Sequence, residues 1–109
     1  MGKYLFIESR DPFENQDSLA FSYDLVQGLA TGGNEVTFFL IQNGVLPARK
    51  GSKYAGRFTE LTQGRVTVLA DDFSLKERAI RHLVDGVKPS NVEELVDLVL
   101  TEGTKTIWH

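Results

Sequence analysis

"RVTVLADDFSLKERAI", residues 65–80, passes from an apolar stretch rich in β-branched residues through two adjacent acids into a helix-forming segment. Residues 65–70 read as a strand. Ser74 reads as the start of a helix, because "SLKE" has the form of a capping box in which the hydroxyl serves an early amide and Glu77 reaches back. A strand running directly into a helix is the unit of an α/β domain, and such domains place ligand-binding or reactive groups at that junction. Asp71 and Asp72 stand there. Negative charge ahead of a helix is worth roughly 0.3–1 kcal/mol, so a capping role competes with a functional one for both.

The same alternation extends in both directions. "KYLFIE" (3–8) is apolar without alternating, as suits a strand buried on both faces. A helix follows, capped at Asp17 or Ser18 and running to about Ala30, with Leu19, Ser22/Tyr23, Val26, Leu29 and Ala30 at helical spacing before "TGGN" ends it. "EVTFFLIQ" (35–42) is the second strand, and Asn43-Gly44 turns the chain after it. A weaker helix is expected around 52–62. Beyond the quoted stretch, "GVK" (86–88) offers a very short strand, Ser90 opens the helix "VEELVDLVLTEG", and "TKTIW" (104–108) closes the chain as a strand. The fold class expected is α/β: a doubly wound three-layer sandwich around a mainly parallel sheet of four to five strands, one domain over residues 1–109.

Composition narrows the function. With 41% hydrophobic and 25% charged residues, the chain suits a folded globular domain rather than a disordered one. A formal net charge of −3 opposes a general role on nucleic acid or an anionic membrane. No cysteine is present, which removes disulfides, thiolate metal sites and thiol nucleophiles. The amino-terminal apolar run is too short for a signal peptide and no segment reaches the length of a membrane span, so a cytoplasmic protein is expected.

Three segments meet at the strand ends: "ESRD" (8–11), "QNGVLPARK" (42–50) and "ADDFS" (70–74). They suggest a small polar pocket built from Glu8, Arg10, Asn43, Asp71, Asp72 and Ser74, with an acidic character that suits a small ligand or a divalent cation. Asp11 belongs to the same edge. The basic run Arg49, Lys50, Lys53 and Arg57 reads more readily as a solvated face than as an anion site. It lacks the Gly-Lys-Ser/Thr order of a phosphate loop, and no Gly-x-Gly-x-x-Gly follows a strand. His82, placed on a helix among basic residues, has no second histidine for a metal. Ser9, Ser74 and Ser90 have no His/Asp partner for a hydrolytic triad. No catalytic residue, metal or cofactor is assigned. The last helix carries Val92, Leu95, Val96, Leu98, Val99 and Leu100 over more than half its circumference, wider than one sheet face needs. Leu95, Leu98, Val99 and the strand-end Trp108 are therefore expected at a subunit contact.

Together "FIESRDPFENQDSLAFSYDLVQGLATGGNEVTFFLIQNGVLPAR" and "VTVLADDFSLKERAI…LVDGVKPSNVEELVDLVL" resemble the DsrE/DsrF-like family of small sulfur-relay proteins, over nearly the whole chain. The resemblance implies a doubly wound sheet, a homo-oligomer (trimer or hexamer) or assembly with a cysteine-bearing paralogue, and a pocket near subunit boundaries. Active members carry persulfide on a cysteine between the third strand and its helix, in a pattern resembling Cys-x-x-Cys-Leu-Lys. Laid on "ADDFSLKERAI", that pattern puts Asp71 at the first thiol position and Ser74 at the second. Neither side chain can form a persulfide. The resemblance thus implies a scaffold, regulatory or ligand-binding member rather than a sulfur carrier.

Overall fold

Each apolar run becomes a parallel strand: β1 (Lys3–Glu8), β2 (Glu35–Leu40), β3 (Val66–Asp71), β4 (Val87–Ser90) and β5 (Thr104–Trp108). The computed structural model describes residues 1–14 and 16–109, and the side chains of Gln16, Ser18 and Leu19 lie outside that description. The helices are α1 (Gln16–Thr31), α2 (Ala55–Gln63), α3 (Asp72–Glu77) and α4 (Val92–Leu100), with a 3-10 segment at Gln42–Ala48. Because α1 already includes Gln16, Asp17 lies inside its first turn instead of capping it, and the capping contact expected at Ser18 falls outside the described residues.

The strands lie in the order β4-β3-β2-β1-β5. The chain steps outward from β1 to β4, then returns across the sheet so that β5 pairs with the free side of β1. Right-handed crossovers that reverse direction must change face, and the packing agrees. Tyr23 and Val26 of α1 and Phe58 and Leu61 of α2 bury one face, formed by Phe6, Val36, Phe38, Leu40, Val68 and Ala70. Tyr23 meets the rings of Phe38 and Phe58 edge-on there, with centroids 5.3 and 5.0 Å away, an arrangement that contributes about 0.5–1.5 kcal/mol per pair beyond burial. Leu5, Ile7, Phe39 and Leu69 point the other way and are covered by α4 through Leu95 and Leu98.

Two elements differ from the sequence expectation. The helix after β3 stops at Glu77, far short of a segment running through "RAIRH". Ala79 takes φ +54°, Ile80 N–H donates to the Leu75 carbonyl at 3.0 Å, and Ala79 N–H donates to that of Lys76 at 3.1 Å. This is the bond pattern of a left-handed helix stop. An alanine there, where glycine is usual, leaves no mark in the sequence. His82 consequently lies in an extended crossing, its carbonyl accepting from Lys50 N–H. The short strand at 86–88 is a full sheet member at Val87–Ser90, and Pro89 is tolerated because β4 is an edge strand.

Candidate functional site

Asp71 ends β3 on the α4 face, two residues past the buried Leu69, and serves as N-cap of α3. Ser74 N–H donates to Asp71 Oδ2 at 2.9 Å and the Ser74 hydroxyl donates to the same oxygen at 2.7 Å. That hydroxyl also accepts from Gln42 N–H at 2.9 Å, holding Gln42 at φ +50°. The roles within the junction are thus shifted. Asp71 is the cap, Ser74 is the third helical residue that fixes it, and Glu77 stays exposed, 3.7 Å from Arg78. At the next helix the shift is one residue: Asn91, rather than Ser90, caps α4 by accepting from Glu94 N–H at 2.8 Å, while the Ser90 hydroxyl bonds the Glu94 carboxylate.

A cleft of about 320 Å³ opens beside this junction, lined by Ile41, Gln42, Asp71, Phe73, Ser74, Glu77, Val92, Leu95 and Trp108. Of the six residues expected to form the pocket, the structure brings together Asp71 and Ser74. Asp72 points away, pairing with Lys76 at 3.1 Å and bordering a separate depression with Pro89, Ser90 and Asn91. Asn43 is exposed and accepts two bonds from the Arg78 guanidinium, at 3.1 and 2.9 Å. Arg10 is exposed, and its N–H donates to Glu8 Oε2. The acids do not converge: among the described residues, no three of His, Asp and Glu stand close enough to hold a metal ion. The basic run is dispersed as well. Arg57 pairs with Asp24 at 2.7 Å and Lys53 lies over the Phe13 and Tyr54 rings.

Of the residues expected at a subunit contact, Leu95 and Leu98 turn inward to the sheet, while Val99 and Trp108 are exposed. Val92, Val96 and Leu100 continue the exposed apolar stripe along α4. Cleft-lining Gln42 and Phe73 had no functional signal in the sequence, and Val92 stood out only as part of the apolar stripe of the last helix. Gln42 needed the register of the turn, and Phe73 needed the early start of α3.

Glu8 belongs to a different cluster on the opposite face. Its Oε1 accepts from the Ser22 hydroxyl and lies 2.9 Å from His109 Nδ1, itself 3.0 Å from the Ser22 hydroxyl. Sequence reasoning did not connect these groups, which come from β1, α1 and the residue after β5. A serine, a histidine and an acid in contact suggest hydrolysis, but the geometry is that of an anchor. A relay needs the serine on one ring nitrogen and the acid on the other; here both meet Nδ1, and Ser22 is fully buried. His109 N–H further donates to the Ile7 carbonyl, and Ser9 N–H to the His109 carbonyl. Beside this cluster, burial first and the Glu8 charge second push the Tyr23 phenol well above its ordinary value.

Comparison with known proteins is consistent with this architecture. The solved ychN protein from E. coli is 22% identical with both chains fully covered and a TM-score of 0.90. MTH1491 from Methanobacterium thermoautotrophicum, described as a protein of unknown function, is 23% identical with both chains fully covered and a TM-score of 0.84. BT1422 from Bacteroides thetaiotaomicron, likewise of unknown function, is 13% identical over 98% of this chain and 94% of its own, with a TM-score of 0.82. Among curated proteins, none matches. No described helix is long and apolar enough to cross a membrane. The sequence model of the DsrE/DsrF-like family matches residues 2–108, and by that match the chain belongs to this family, which is related to sulfur relay.

Proposed function

We propose that this chain is a cysteine-less DsrE/DsrF-like subunit of cytoplasmic sulfur metabolism. It assembles as a homo-oligomer, a trimer or hexamer, scaffolds or regulates a cysteine-bearing paralogue, and holds a small ligand in the Asp71 cleft. The observation that carries this reading is the state of the slot where family resemblance puts the first thiol. Asp71 fills it and is committed to capping α3 through both Ser74 bonds. A carboxylate so placed can position a helix and accept hydrogen bonds, but it cannot carry sulfane sulfur.

The stripe on α4 supports the oligomer. Val96 is 47% and Leu100 76% exposed, next to exposed Val92 and Val99, on a helix whose inward face is already satisfied by Leu95 and Leu98. A contiguous apolar surface of this kind is what subunit contacts cover. Native mass spectrometry of the chain, alone and mixed with a cysteine-bearing family paralogue from the same host, tests the proposal. The expected result is a defined oligomer alone and a stable mixed complex. A monomer that forms no complex, or a chain that by itself takes up and releases labelled sulfane sulfur, would overturn it.

A further inference from the structure

The cleft at the end of β3 has a chemical character that nothing in sulfur relay requires. Its charged lining residues are Asp71 and Glu77, both acidic, and no lysine or arginine lines it. Of the neighbouring cations, Lys76 pairs with Asp72, while Arg78 bonds Asn43 and the Ser74 carbonyl and pairs loosely with Glu77 at 3.7 Å, leaving Asp71 without a cationic partner among the described residues. Asp71 is 5% exposed. Its Oδ2 receives both Ser74 bonds, while Oδ1 receives none from the described residues. Around these acids stand Phe73 and Trp108, both well exposed at the rim, with Val92, Ile41 and Leu95 completing an apolar wall.

We infer that this cleft binds a compact organic cation, an alkylammonium group seated against Phe73 and Trp108 and neutralised by Asp71 and Glu77. Aromatic faces attract ammonium groups most strongly where water is partly excluded. A volume of about 320 Å³ lies at the small end of ligand pockets. An anion would face the Asp71 and Glu77 carboxylates with no lysine or arginine in the lining to offset them, the neutral Gln42 amide and Trp108 indole N–H being the side-chain donors left, since Ser74 N–H serves Asp71. A neutral ligand filling the space would strip water from Asp71 Oδ1 without replacing it, which is unfavourable. The inference rests on the ligand-binding part of the function proposed above and names the ligand's class.

Trp108 is the only tryptophan in the chain, so its fluorescence reports on the cleft directly. The intact chain is titrated with choline and, separately, with 3,3-dimethyl-1-butanol, its uncharged carbon isostere. Choline is expected to give a saturable change in Trp108 emission, with the isostere at least ~5-fold weaker. Asp71→Asn keeps a good helix cap while removing the charge, and Glu77→Gln lies outside the cap altogether; each is expected to weaken choline by ~3-fold or more. No saturable response, equal binding of the isostere, or undiminished choline binding in both variants would overturn the assignment. Those outcomes say nothing against the paralogue complex that native mass spectrometry is expected to detect, so failure of the ligand class and failure of the scaffold role are told apart.

Discussion

Glu8 and Asp71 are both buried carboxylates at the carboxyl ends of parallel strands, 3% and 5% exposed. They have opposite fates. Glu8 faces the α1 side and both oxygens are occupied, Oε1 by Ser22 and His109 and Oε2 by Arg10 N–H. Asp71 faces the α4 side, spends one oxygen on Ser74, receives no bond at the other from the described residues, and lines a cleft. The difference follows from what covers each face. The sixteen-residue α1, the nine-residue α2 and an aromatic cluster close over the Glu8 side, whereas the nine residues of α4 alone cover the other, and the sheet end there stays open. Position at a strand end therefore does not make an acid functional. Incomplete closure around Asp71 is what leaves room for the ligand proposed there.

This contrast can be broken most severely from the Glu8 side. A Cβ built on Gly44 would lie 2.2 Å from the Glu8 carbonyl oxygen, a backbone atom that cannot swing away. Gly44→Ala is expected to destabilise the fold by roughly 3 kcal/mol or more, at or beyond the upper end of ordinary overpacking, read as a fall in the urea midpoint. Glu8→Ala removes the buried carboxylate that Ser22, His109 and Arg10 N–H share, and a loss of roughly 2–3 kcal/mol is expected by the same measurement. A change below about 1 kcal/mol would show that the cluster is not an anchor. Asp71→Ala removes only a cap and should cost about 1 kcal/mol, with Asp71→Asn nearly neutral. If Asp71→Ala equalled Glu8→Ala, the two acids would not differ as described.

The smallest effect sharpens the closed side. The Tyr23 hydroxyl is buried and has no hydrogen-bond partner among the described residues. Removing it in Tyr23→Phe is expected to leave stability unchanged or raise it by up to about 1 kcal/mol. With its folded value raised above the unfolded one near 10, the phenol's stabilising contribution is complete below pH 10. It is lost as pH climbs from there toward the folded value, because the unfolded chain gives up the proton first. Tyr23→Phe should flatten that alkaline decline, and a pH series of thermal melts of the two proteins reads the difference.

The strands were legible because each buried run is apolar on successive residues, and "EVTFFL" and "KYLFIE" have no other use in a domain of this size. The helices of 16–31 and 92–100 were legible from helical spacing. What escaped was set by local backbone choices or by distance along the chain. Ala79 adopts a conformation that marks a helix stop only when the residue is glycine or asparagine. Asp71 displaced the better-looking cap Ser74, since a strand end supplies the extended backbone that a cap needs. The pocket was half legible: adjacency in sequence placed Asp71 and Ser74 together, but alternation sent Asp72 and Glu8 elsewhere. No local pattern announces that Glu8 and His109, 101 residues apart, share a hydrogen bond.

That same separation bears on how the molecule assembles in time. The sheet from β1 to β4 grows by neighbouring additions, each closing a modest loop, while β5 must find β1 across almost the entire polypeptide. Long-range parallel pairing is intrinsically slow. Stopped-flow refolding should therefore resolve a late event in which Trp108 changes its surroundings after most backbone signal has already returned, with the Glu8–His109 contact acting as the latch that completes it.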